Sequence, residues 1–184
     1  MLSRFRLKLA ATHLRCGDII AYPTEGVYGL GCNPLDQEAV LRLLALKERP
    51  TAKGLVLIAA DFDQIEPYLN IPTESMRNRV LATWPGPVTW IIPAADWVPA
   101  WLRGEHTTLA VRVTDHPDAA ALCRAFGGPI VSTSANKSGL PPARTPISVR
   151  KHFSTGHVLI LSGGLGGLHG PTAIYDASTG VRLR

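Results

Sequence analysis

The sequence predicts a single α/β domain, built on a twisted, open, mixed sheet with flanking helices. Of its 184 residues, 46% are hydrophobic and only 18% are charged, so the chain can bury a sizeable core. Apolar runs of strand length alternate with segments of helical periodicity, which is typical of α/β domains. The 17 glycines and 15 prolines fall in short clusters between those runs and therefore mark turns. We expect one domain over residues 1–184, since this length is typical of a single domain.

A helix and a buried strand come first. The residues that recur at the spacing of helical turns are Leu2, Phe5, Leu9, His13 and Cys16. Gly17 and Asp18 end this pattern. The apolar run 19–22 that follows has the length and composition of a buried strand.

A second helix is predicted from Asp36, whose carboxylate can cap its first turn. Its apolar stripe includes Val40, Leu43 and Leu44, and Pro50 forces its end. Beyond it, helix and strand keep alternating. The predicted strands are 55–58, 88–92, 109–113, 129–132, 158–161, 173–175 and 181–183, and the predicted helices are 73–83, 119–126 and 145–153. The glycine-rich segment 163–171 is predicted to be either a lid or a turn between strands.

The charge balance predicts an anionic ligand. Nineteen basic residues against 14 acidic ones give a net charge of +5, and the basic set divides into 5 Lys and 14 Arg. Arginine favours fork-shaped recognition of anions. The balance alone leaves nucleotide and nucleic acid both open.

Three cysteines, Cys16, Cys32 and Cys123, lack C-x-x-C spacing, so we expect reduced thiols rather than disulfides or a zinc site. The nearest histidines, His152 and His157, do not share a helical face. The sequence therefore predicts no metal site. The N-terminal segment mixes charged with apolar residues, which predicts neither a signal peptide nor a membrane span. We expect a cytoplasmic protein that does not bind membranes.

Several common catalytic motifs do not occur in the sequence. It contains no G-x-x-x-x-G-K-[ST] phosphate loop, no complete G-x-G-x-x-G fingerprint, no H-E-x-x-H and no G-x-S-x-G. If the protein is an enzyme, we therefore expect it to act by positioning and electrostatics.

Four segments remain as candidate binding sites. A polar turn directly follows the first strand, with Thr24 as the candidate contact and Glu25 as a residue that can orient it. A plain turn whose glycines adopt positive backbone angles is the alternative. Lys47 and Arg49 lie two residues apart across a helix end, where both head groups could reach one polyanion. Favourable interaction with the helix dipole is the alternative for this pair.

Arg112 lies within an apolar strand, so its guanidinium should meet a carboxylate, a phosphate or backbone acceptors. A structural ion pair with an internal Asp or Glu and a ligand contact are equally compatible with this position. The segment 132–139 supplies hydroxyls and an amide after a strand, a composition suited to hydrogen bonding phosphate or ribose oxygens. A capped turn is its alternative.

Five motifs, taken in order, are together highly specific, although none is so singly. They are Pro23-Thr24-Glu25 with Tyr28-Gly29-Leu30-Gly31, the K-x-R of Lys47 and Arg49, Trp84-Pro85-Gly86-Pro87-Val88-Thr89, Leu109-Ala110-Val111-Arg112, and the S-x-N of Ser134 and Asn136. With these motifs the chain resembles the YrdC family, and most closely its short bacterial members, from about Ile20 to the C-terminus. The resemblance implies a twisted open α/β sheet around a positively charged hollow.

The resemblance also implies an activity. Enzymes of this family combine L-threonine, bicarbonate and ATP into L-threonylcarbamoyladenylate and pyrophosphate, with Mg²⁺ accompanying ATP and no tightly bound cofactor. Other proteins of the threonylcarbamoylation pathway then use this product to modify tRNA, so any tRNA contact of this chain is expected to be weak or indirect. The alternative is a non-catalytic factor that binds tRNA or double-stranded RNA, or acts in ribosome maturation.

Site residues are implied position by position. The positions that resemble nucleotide-binding residues are Lys47, Arg49, Thr108, Ser134, Asn136 and Arg184, of which Lys47 and Arg49 are the expected catalytic pair. The positions that resemble threonine-binding residues are Thr24, Arg112 and Ser132. The chain departs from some longer members where Ile58, Ala59 and Ala60 replace a histidine, and where Thr172-Ala173 replaces Ser-Thr. We also expect no counterpart of the longer members' extra C-terminal domain.

Overall fold

An eight-stranded mixed sheet forms the centre of the computed structural model, which describes residues 1–154 and 158–184. The strands lie in the order β7-β1-β2-β6-β3-β5-β4-β8. Their bounds are Ile19–Pro23 (β1), Tyr28–Gly31 (β2), Val56–Ala59 (β3), Val88–Pro93 (β4), Thr108–Val113 (β5), Ile130–Ser134 (β6), Val158–Ile160 (β7) and Ala173–Asp176 (β8). The predicted fold class is confirmed.

Helices cover both faces of the sheet. Their bounds are Arg4–Arg15 (α1), Gln37–Leu46 (α2), Phe62–Ile65 (α3), Glu74–Leu81 (α4), Ala100–Arg103 (α5), Pro117–Phe126 (α6) and Pro146–His152 (α7), with 3₁₀ turns at Thr51–Lys53 and Glu66–Tyr68. Side-chain caps fix where most of them begin. Asp36 accepts a hydrogen bond from the Ala39 amide at 3.0 Å, as predicted, and Thr145 forms a capping box with Ser148.

The two sheet faces bury different clusters. On one face, Leu57, Val111 and Val131 pack with α2 to α5 in the main core. On the other, Ile58 and Ile130 pack beneath α1 and α6 in a smaller cluster. These residues alternate along β3, β5 and β6 because successive strand side chains point to opposite faces. The α1–α6 layer covers one part of its face, and the uncovered part is where the cavity described below lies.

The buried face of α1 differs from the predicted one. Phe5 is 75% exposed and Leu9 is 41% exposed, while Ala10, Ala11 and Leu14 are buried. Small alanine side chains let α1 pack closely against α6, so they form the inner face although their hydrophobic signal is weak. The helix is confirmed. The residues that suggested it by their helical spacing include Phe5 and Leu9, which lie on its exposed side rather than on its buried side.

Two elements near strand ends also differ from prediction. Tyr28–Gly31, which the sequence predicted as part of a polar turn, is strand β2 and pairs antiparallel with both β1 and β6. Its glycines are required by packing: a Cβ at Gly31 would lie 2.5 Å from the Val131 carbonyl oxygen and 2.9 Å from the Tyr22 ring. The predicted strand 181–183 is exposed and forms only an isolated bridge, between Arg182 and Tyr175. It still runs antiparallel beside β8, because the Asp176 amide donates to the Val181 carbonyl at 2.9 Å and the Leu183 amide to the Ile174 carbonyl at 2.8 Å.

In the described part of the chain, none of the helices has the length and apolar character that crossing a membrane requires.

Candidate active site

A cavity of about 310 Å³ lies on the sheet face that α1 and α6 leave partly uncovered. Its floor includes a lateral row of four paired residues, Ile91, Ala110, Val56 and Ser132, on four neighbouring strands. Its volume lies at the lower end of the range of small-molecule sites. The central strands therefore present a ligand-sized hollow on one face while their opposite face forms the main core.

Seven of the nine predicted site residues line this cavity. They are Thr24, Arg49, Thr108, Arg112, Ser132, Ser134 and Arg184. Strand periodicity explains part of the convergence: Thr108 and Arg112 lie four residues apart on β5 and so share a face. Lys47 and Asn136 are not among the lining residues.

Arg112 is buried and held on three sides. Its Nη2 donates to Glu25 Oε2 at 3.2 Å, and its Nη1 donates to Thr172 Oγ1 at 2.8 Å and to Thr89 Oγ1 at 3.2 Å. Its Nε is buried without a hydrogen-bond partner. Arg112 therefore forms the internal ion pair that was one of its two possibilities. It also lines the cavity, and its contact with a ligand stays a prediction.

Glu25 is only 3% exposed and orients Arg112 rather than Thr24. Its second oxygen, Oε1, accepts a hydrogen bond from Thr114 Oγ1 at 2.6 Å. The Thr24 hydroxyl instead donates to the Val27 carbonyl at 2.7 Å, within its own turn. The expectation that Glu25 orients Thr24 is thus wrong, because packing of the turn after β1 brings Glu25 to the guanidinium.

Ser132 lies beside the buried Tyr22 phenol. Burial raises the pKa of Tyr22 far above its usual range, and the hydrogen bond with Ser132 lowers it in part. Tyr22 Oη also approaches the Val131 carbonyl oxygen at 3.5 Å. The Tyr22 ring packs over Gly29 and Gly31, and its hydroxyl lies next to Ser132 on the buried side of that residue.

Lys47 and Arg49 point to different places. Glu48, between them, has φ of 55°, a left-handed conformation that turns the chain where α2 ends. The Lys47 ammonium donates to the backbone carbonyls of Ser134 and Asn136, and the residue is 4% exposed. Burial, with a smaller effect from Arg49, lowers the pKa of Lys47 to about 8. The Lys47 ammonium is therefore held by backbone carbonyls while Arg49 lines the cavity, and their joint contact with one polyanion stays a prediction.

Arg49 and Arg184 supply cationic groups to the cavity. Arg49 Nη2 donates to the Gly54 carbonyl at 3.0 Å, and its Nε, like that of Arg112, is buried without a partner. Burial lowers the pKa of Arg184, and the nearby Arg112 and Arg49 lower it further. Three guanidinium groups that repel one another across a hollow are an arrangement suited to an anionic ligand.

The S-x-N residues form one turn. Ser134 Oγ donates to Asn136 Oδ1 at 2.6 Å, while Asn136 Nδ2 donates to the carbonyls of Lys137 at 3.0 Å and Leu140 at 2.8 Å. Both N–H donors of the Asn136 amide are therefore used within the turn. Ser134 reaches the cavity and Asn136 holds it in place.

Sequence reasoning missed several lining residues. Lys53, Arg103 and His106 lie along the cavity wall, and Thr89 and Thr172 hold Arg112. Alternation along β4 was an available signal for Thr89, since it lies two residues before the lining Ile91. Of the residues that the structure describes, five cationic side chains and no carboxylate line the cavity.

The segment 163–171 packs against the turn after β1. The Gly166 amide donates to the Thr24 carbonyl at 3.1 Å, and the Leu168 amide donates to the Glu25 carbonyl at 2.9 Å. A Cβ at Gly26 would lie 1.9 Å from the Gly170 carbonyl oxygen, so the two backbones are in close contact. Of this segment, only Pro171 lines the cavity, and Thr172 lines it directly after.

No group of three or more potential metal-ligating side chains occurs within residues 1–154 and 158–184. His157, one of the histidine pair considered above, lies outside the described residues.

The family model described as "Telomere recombination", for the Sua5, YciO and YrdC proteins, matches residues 12–183. A relative from Methylococcus capsulatus, named threonylcarbamoyl-AMP synthase, is 56% identical over 183 residues, covering 100% of this chain and 98% of that protein.

Solved structures give the same grouping. P. abyssi Sua5 complexed with L-threonine superposes with a TM-score of 0.92 at 32% identity, covering 100% of this chain and 55% of that one. E. coli YciO superposes with a TM-score of 0.87 at 27% identity, covering 100% and 90%. The chain thus spans about half the length of that Sua5 chain and nearly all of YciO. With a family model over almost its full length and a relative more than half identical, the chain belongs to the Sua5/YciO/YrdC family.

Proposed function

We propose that this protein is an L-threonylcarbamoyladenylate synthase, a nucleotidyltransferase. L-threonine, bicarbonate and ATP would give L-threonylcarbamoyladenylate, pyrophosphate and water. The observation that carries the proposal is the cavity, where Arg49 and Arg112 each keep a buried Nε without a partner. A relative 56% identical over the whole chain, named threonylcarbamoyl-AMP synthase, supports this choice among possible anion-binding functions.

Threonine is assigned to the part of the cavity around Thr24, Arg112 and Ser132. A carboxylate can pair with the Arg112 guanidinium, which lines this part of the cavity. The Ser132 hydroxyl offers a further polar contact for the amino acid. The P. abyssi Sua5 structure, which was solved with L-threonine, supports an amino acid as ligand.

The nucleotide is assigned to Arg49, Thr108, Ser134 and Arg184, which line the rest of the cavity. Arg49 and Arg184 neutralise charge on the phosphates, and Thr108 and Ser134 give neutral hydrogen bonds. The chain's residues offer no carboxylate to hold Mg²⁺ at this cavity within the described ranges, so we assign that ion to ATP, coordinated by its phosphate oxygens.

The reaction needs no protein nucleophile. Bicarbonate loses hydroxide to give carbon dioxide, and the threonine amine adds to its carbon and releases a proton, which leaves a carbamate. A carbamate oxygen then attacks the α-phosphorus of ATP, and the bond from that phosphorus to the bridging oxygen of pyrophosphate breaks. Catalysis consists of holding two anions in line and stabilising the charge that develops on the α-phosphoryl group and the leaving pyrophosphate, a role we assign to Lys47 and Arg49.

The product is a reactive mixed anhydride, so we propose that other proteins of the tRNA threonylcarbamoylation pathway consume it in the cytoplasm. Any contact of this chain with tRNA is then weak or indirect. The alternative function, a non-catalytic RNA-binding factor, would use the same cations on phosphate groups of RNA.

Pyrophosphate release separates the two functions. With ATP, bicarbonate and threonine, we expect steady release that stops when threonine is omitted and falls strongly when serine replaces it. Release that does not depend on threonine, together with tRNA affinity that decreases steeply with salt, would instead favour the RNA-binding alternative.

A further inference from the structure

His116 is buried at the point where α6 begins, behind the wall of the cavity. Its two ring nitrogens face different parts of the chain. We propose that His116 is a positioning residue for the amino acid, because its ring anchors the start of the segment 163–171, which in turn holds the turn after β1 and Arg112 in place. The proposal rests on the threonine assignment made above, but the contacts that carry it exist without any ligand.

The His116 ring makes two hydrogen bonds that together fix its tautomer. The Ala119 amide donates to Nδ1 at 3.4 Å, which caps the first turn of α6. Nε2 lies 3.0 Å from the Gly164 carbonyl oxygen, and since a carbonyl oxygen only accepts, Nε2 carries the proton and donates it. One nitrogen therefore serves α6 and the other serves the segment 163–171, so the two roles can be separated by substitution.

The start of the segment is held closely on several sides. The Tyr28 hydroxyl donates to the Gly163 carbonyl at 2.8 Å and accepts from the Gly163 amide at 3.1 Å. A Cβ at Gly163 would lie 2.9 Å from Asp118 Oδ2 and 2.9 Å from the Pro23 ring, so this glycine fits tightly between α6 and β1. Tyr28 and His116 are both buried, and together they fix the position at which the segment begins.

The middle of the segment lies along the turn after β1. The Gly166 and Leu168 amides donate to the carbonyls of Thr24 and Glu25. A Cβ at Gly166 would lie 2.9 Å from Glu25 Cα and 3.4 Å from His116 Cδ2, so the segment, the turn and the imidazole are in direct contact. Losing the His116 anchor would therefore loosen both amide contacts.

The segment ends next to a residue that holds Arg112. Thr172 directly follows it, and its hydroxyl accepts a hydrogen bond from Arg112 Nη1 at 2.8 Å. Glu25, which accepts from Arg112 Nη2, belongs to the turn along which the segment lies. Two of the three residues that orient the guanidinium are therefore held by the segment or adjoin it. Since Arg112 is the cation assigned to the threonine carboxylate, a displaced segment weakens threonine binding.

Two substitutions separate the roles of the ring, because a side-chain amide has the reach of one ring nitrogen or of the other. His116→Asn places its oxygen near the position of Nδ1, so it keeps the cap of α6 and loses the bond to Gly164. His116→Gln places its amide near the position of Nε2, so it keeps a donor for Gly164 and loses the cap. His169→Asn, at an exposed histidine within the same segment, is the matched control. Tyr28→Phe, which removes both hydrogen bonds at Gly163 and leaves the cap intact, is the second variant if His116→Asn does not fold.

Hydrogen exchange of the Gly166 and Leu168 amides in the ligand-free protein, followed by NMR, measures the anchor. Calorimetric titration with L-threonine measures its consequence. We expect His116→Asn to speed exchange of both amides and to weaken threonine binding about two- to tenfold, the range of one lost hydrogen bond. Its melting temperature should stay close to that of the wild type, because the exposed Gly164 can bind water instead.

His116→Gln should show the reverse pattern. We expect a melting temperature about 2–4 °C lower, the effect of a lost N-cap, with amide exchange and threonine affinity close to those of the wild type. Tyr28→Phe should act like His116→Asn on exchange and on threonine, and the control should match the wild type throughout.

Three results would overturn the proposal. Threonine affinity that follows the melting temperature in the two His116 variants would mean that the ring acts only through the stability of the fold. Unchanged exchange in His116→Asn would mean that the ring does not anchor the segment. Faster exchange with unchanged threonine affinity would mean that the segment does not position the amino-acid site. If the wild type does not bind threonine, the proposed function fails, while the exchange of the two amides still decides whether His116 anchors the segment.

Discussion

Glu25 and Arg112, 87 residues apart in the chain, form a buried ion pair at the wall of the cavity, with Glu25 Oε2 3.2 Å from Arg112 Nη2. Three of the five guanidinium N–H groups donate to Glu25, Thr89 and Thr172, and Nε is buried without a partner. Arg112 is thus held in place by protein groups while it lines the cavity. The carboxylate therefore orients the cation that we assign to threonine.

Removing Glu25 should destabilise the fold. Glu25→Ala leaves the Arg112 guanidinium buried without its counter-charge, and such losses cost about 3–5 kcal/mol of unfolding free energy. Glu66→Ala breaks the exposed pair with Arg77 and should cost far less, because solvent screens exposed charges. Urea unfolding of both variants checks this difference. Equal losses would show that the buried pair is not held as described.

Arg49→Ala should abolish most of the activity and leave the fold intact. Arg49 is half-buried and makes one hydrogen bond, to the Gly54 carbonyl, so its removal disturbs little of the core. A lost charge contact to the transition state costs on the order of a hundredfold in rate. Pyrophosphate release, with Arg150→Ala on the exposed side of α7 as control, measures the effect. Near-normal turnover in Arg49→Ala would remove Arg49 from the proposed mechanism.

The free energy of unfolding should depend on pH in alkaline solution because Lys47 titrates there. Burial lowers the pKa of Lys47 from 10.5 to about 8, so between these values the unfolded chain holds the proton and the folded one does not. Stability rises with pH wherever the unfolded state binds more protons, here by up to about 1.4 kcal/mol per pH unit. The penalty of the buried ammonium is fully present below pH 8 and is relieved as the pH rises toward 10.5.

Lys47→Met should lack this contribution. The difference in unfolding free energy between wild type and variant should therefore shift in favour of the wild type as the pH rises from about 8 to about 10. The comparison removes the contributions of the buried Tyr22, Cys32 and Cys123 to the pH dependence, because these groups titrate in both proteins. Parallel pH profiles for the two proteins would contradict the lowered pKa of Lys47.

Gly31→Ala should destabilise the sheet because the added Cβ meets the Val131 carbonyl oxygen and the Tyr22 ring. Overpacking of this kind costs about 1–3 kcal/mol. Gly128→Ala is a matched control, since a Cβ there has nothing within 4 Å. Urea unfolding should separate the two variants clearly. Equal free energies of unfolding for Gly31→Ala and Gly128→Ala would contradict the close contact between Tyr22 and β2.

Strand β5 illustrates what the sequence could predict. Alternation places Leu109, Val111 and Val113 on the core face and leaves Arg112 on the other, so the strand and this candidate contact followed from the pattern. Thr108 followed only from the family resemblance. The partner of Arg112 did not follow, because Glu25 reaches it only through long-range packing of the turn after β1. Local periodicity contains no information on such contacts.

Other features were hidden for physical reasons. The inner face of α1 depends on Ala10 and Ala11, whose weak hydrophobicity conceals how closely α6 can approach. Glu48, between Lys47 and Arg49, has a left-handed backbone, which the K-x-R spacing does not reveal. Strand β2 was concealed by its glycines, which are needed for packing against Tyr22 rather than for a turn.

The most direct measurement is mass-spectrometric detection of the adenylate formed from isotopically labelled bicarbonate. Wild-type protein with ATP and threonine should give L-threonylcarbamoyladenylate that carries the label, while Arg112→Gln, verified as folded by its melting temperature, should form far less. A labelled product that forms equally well without Arg112 would contradict the assignment of threonine to this cavity. No labelled adenylate from the wild type would contradict the proposed function itself.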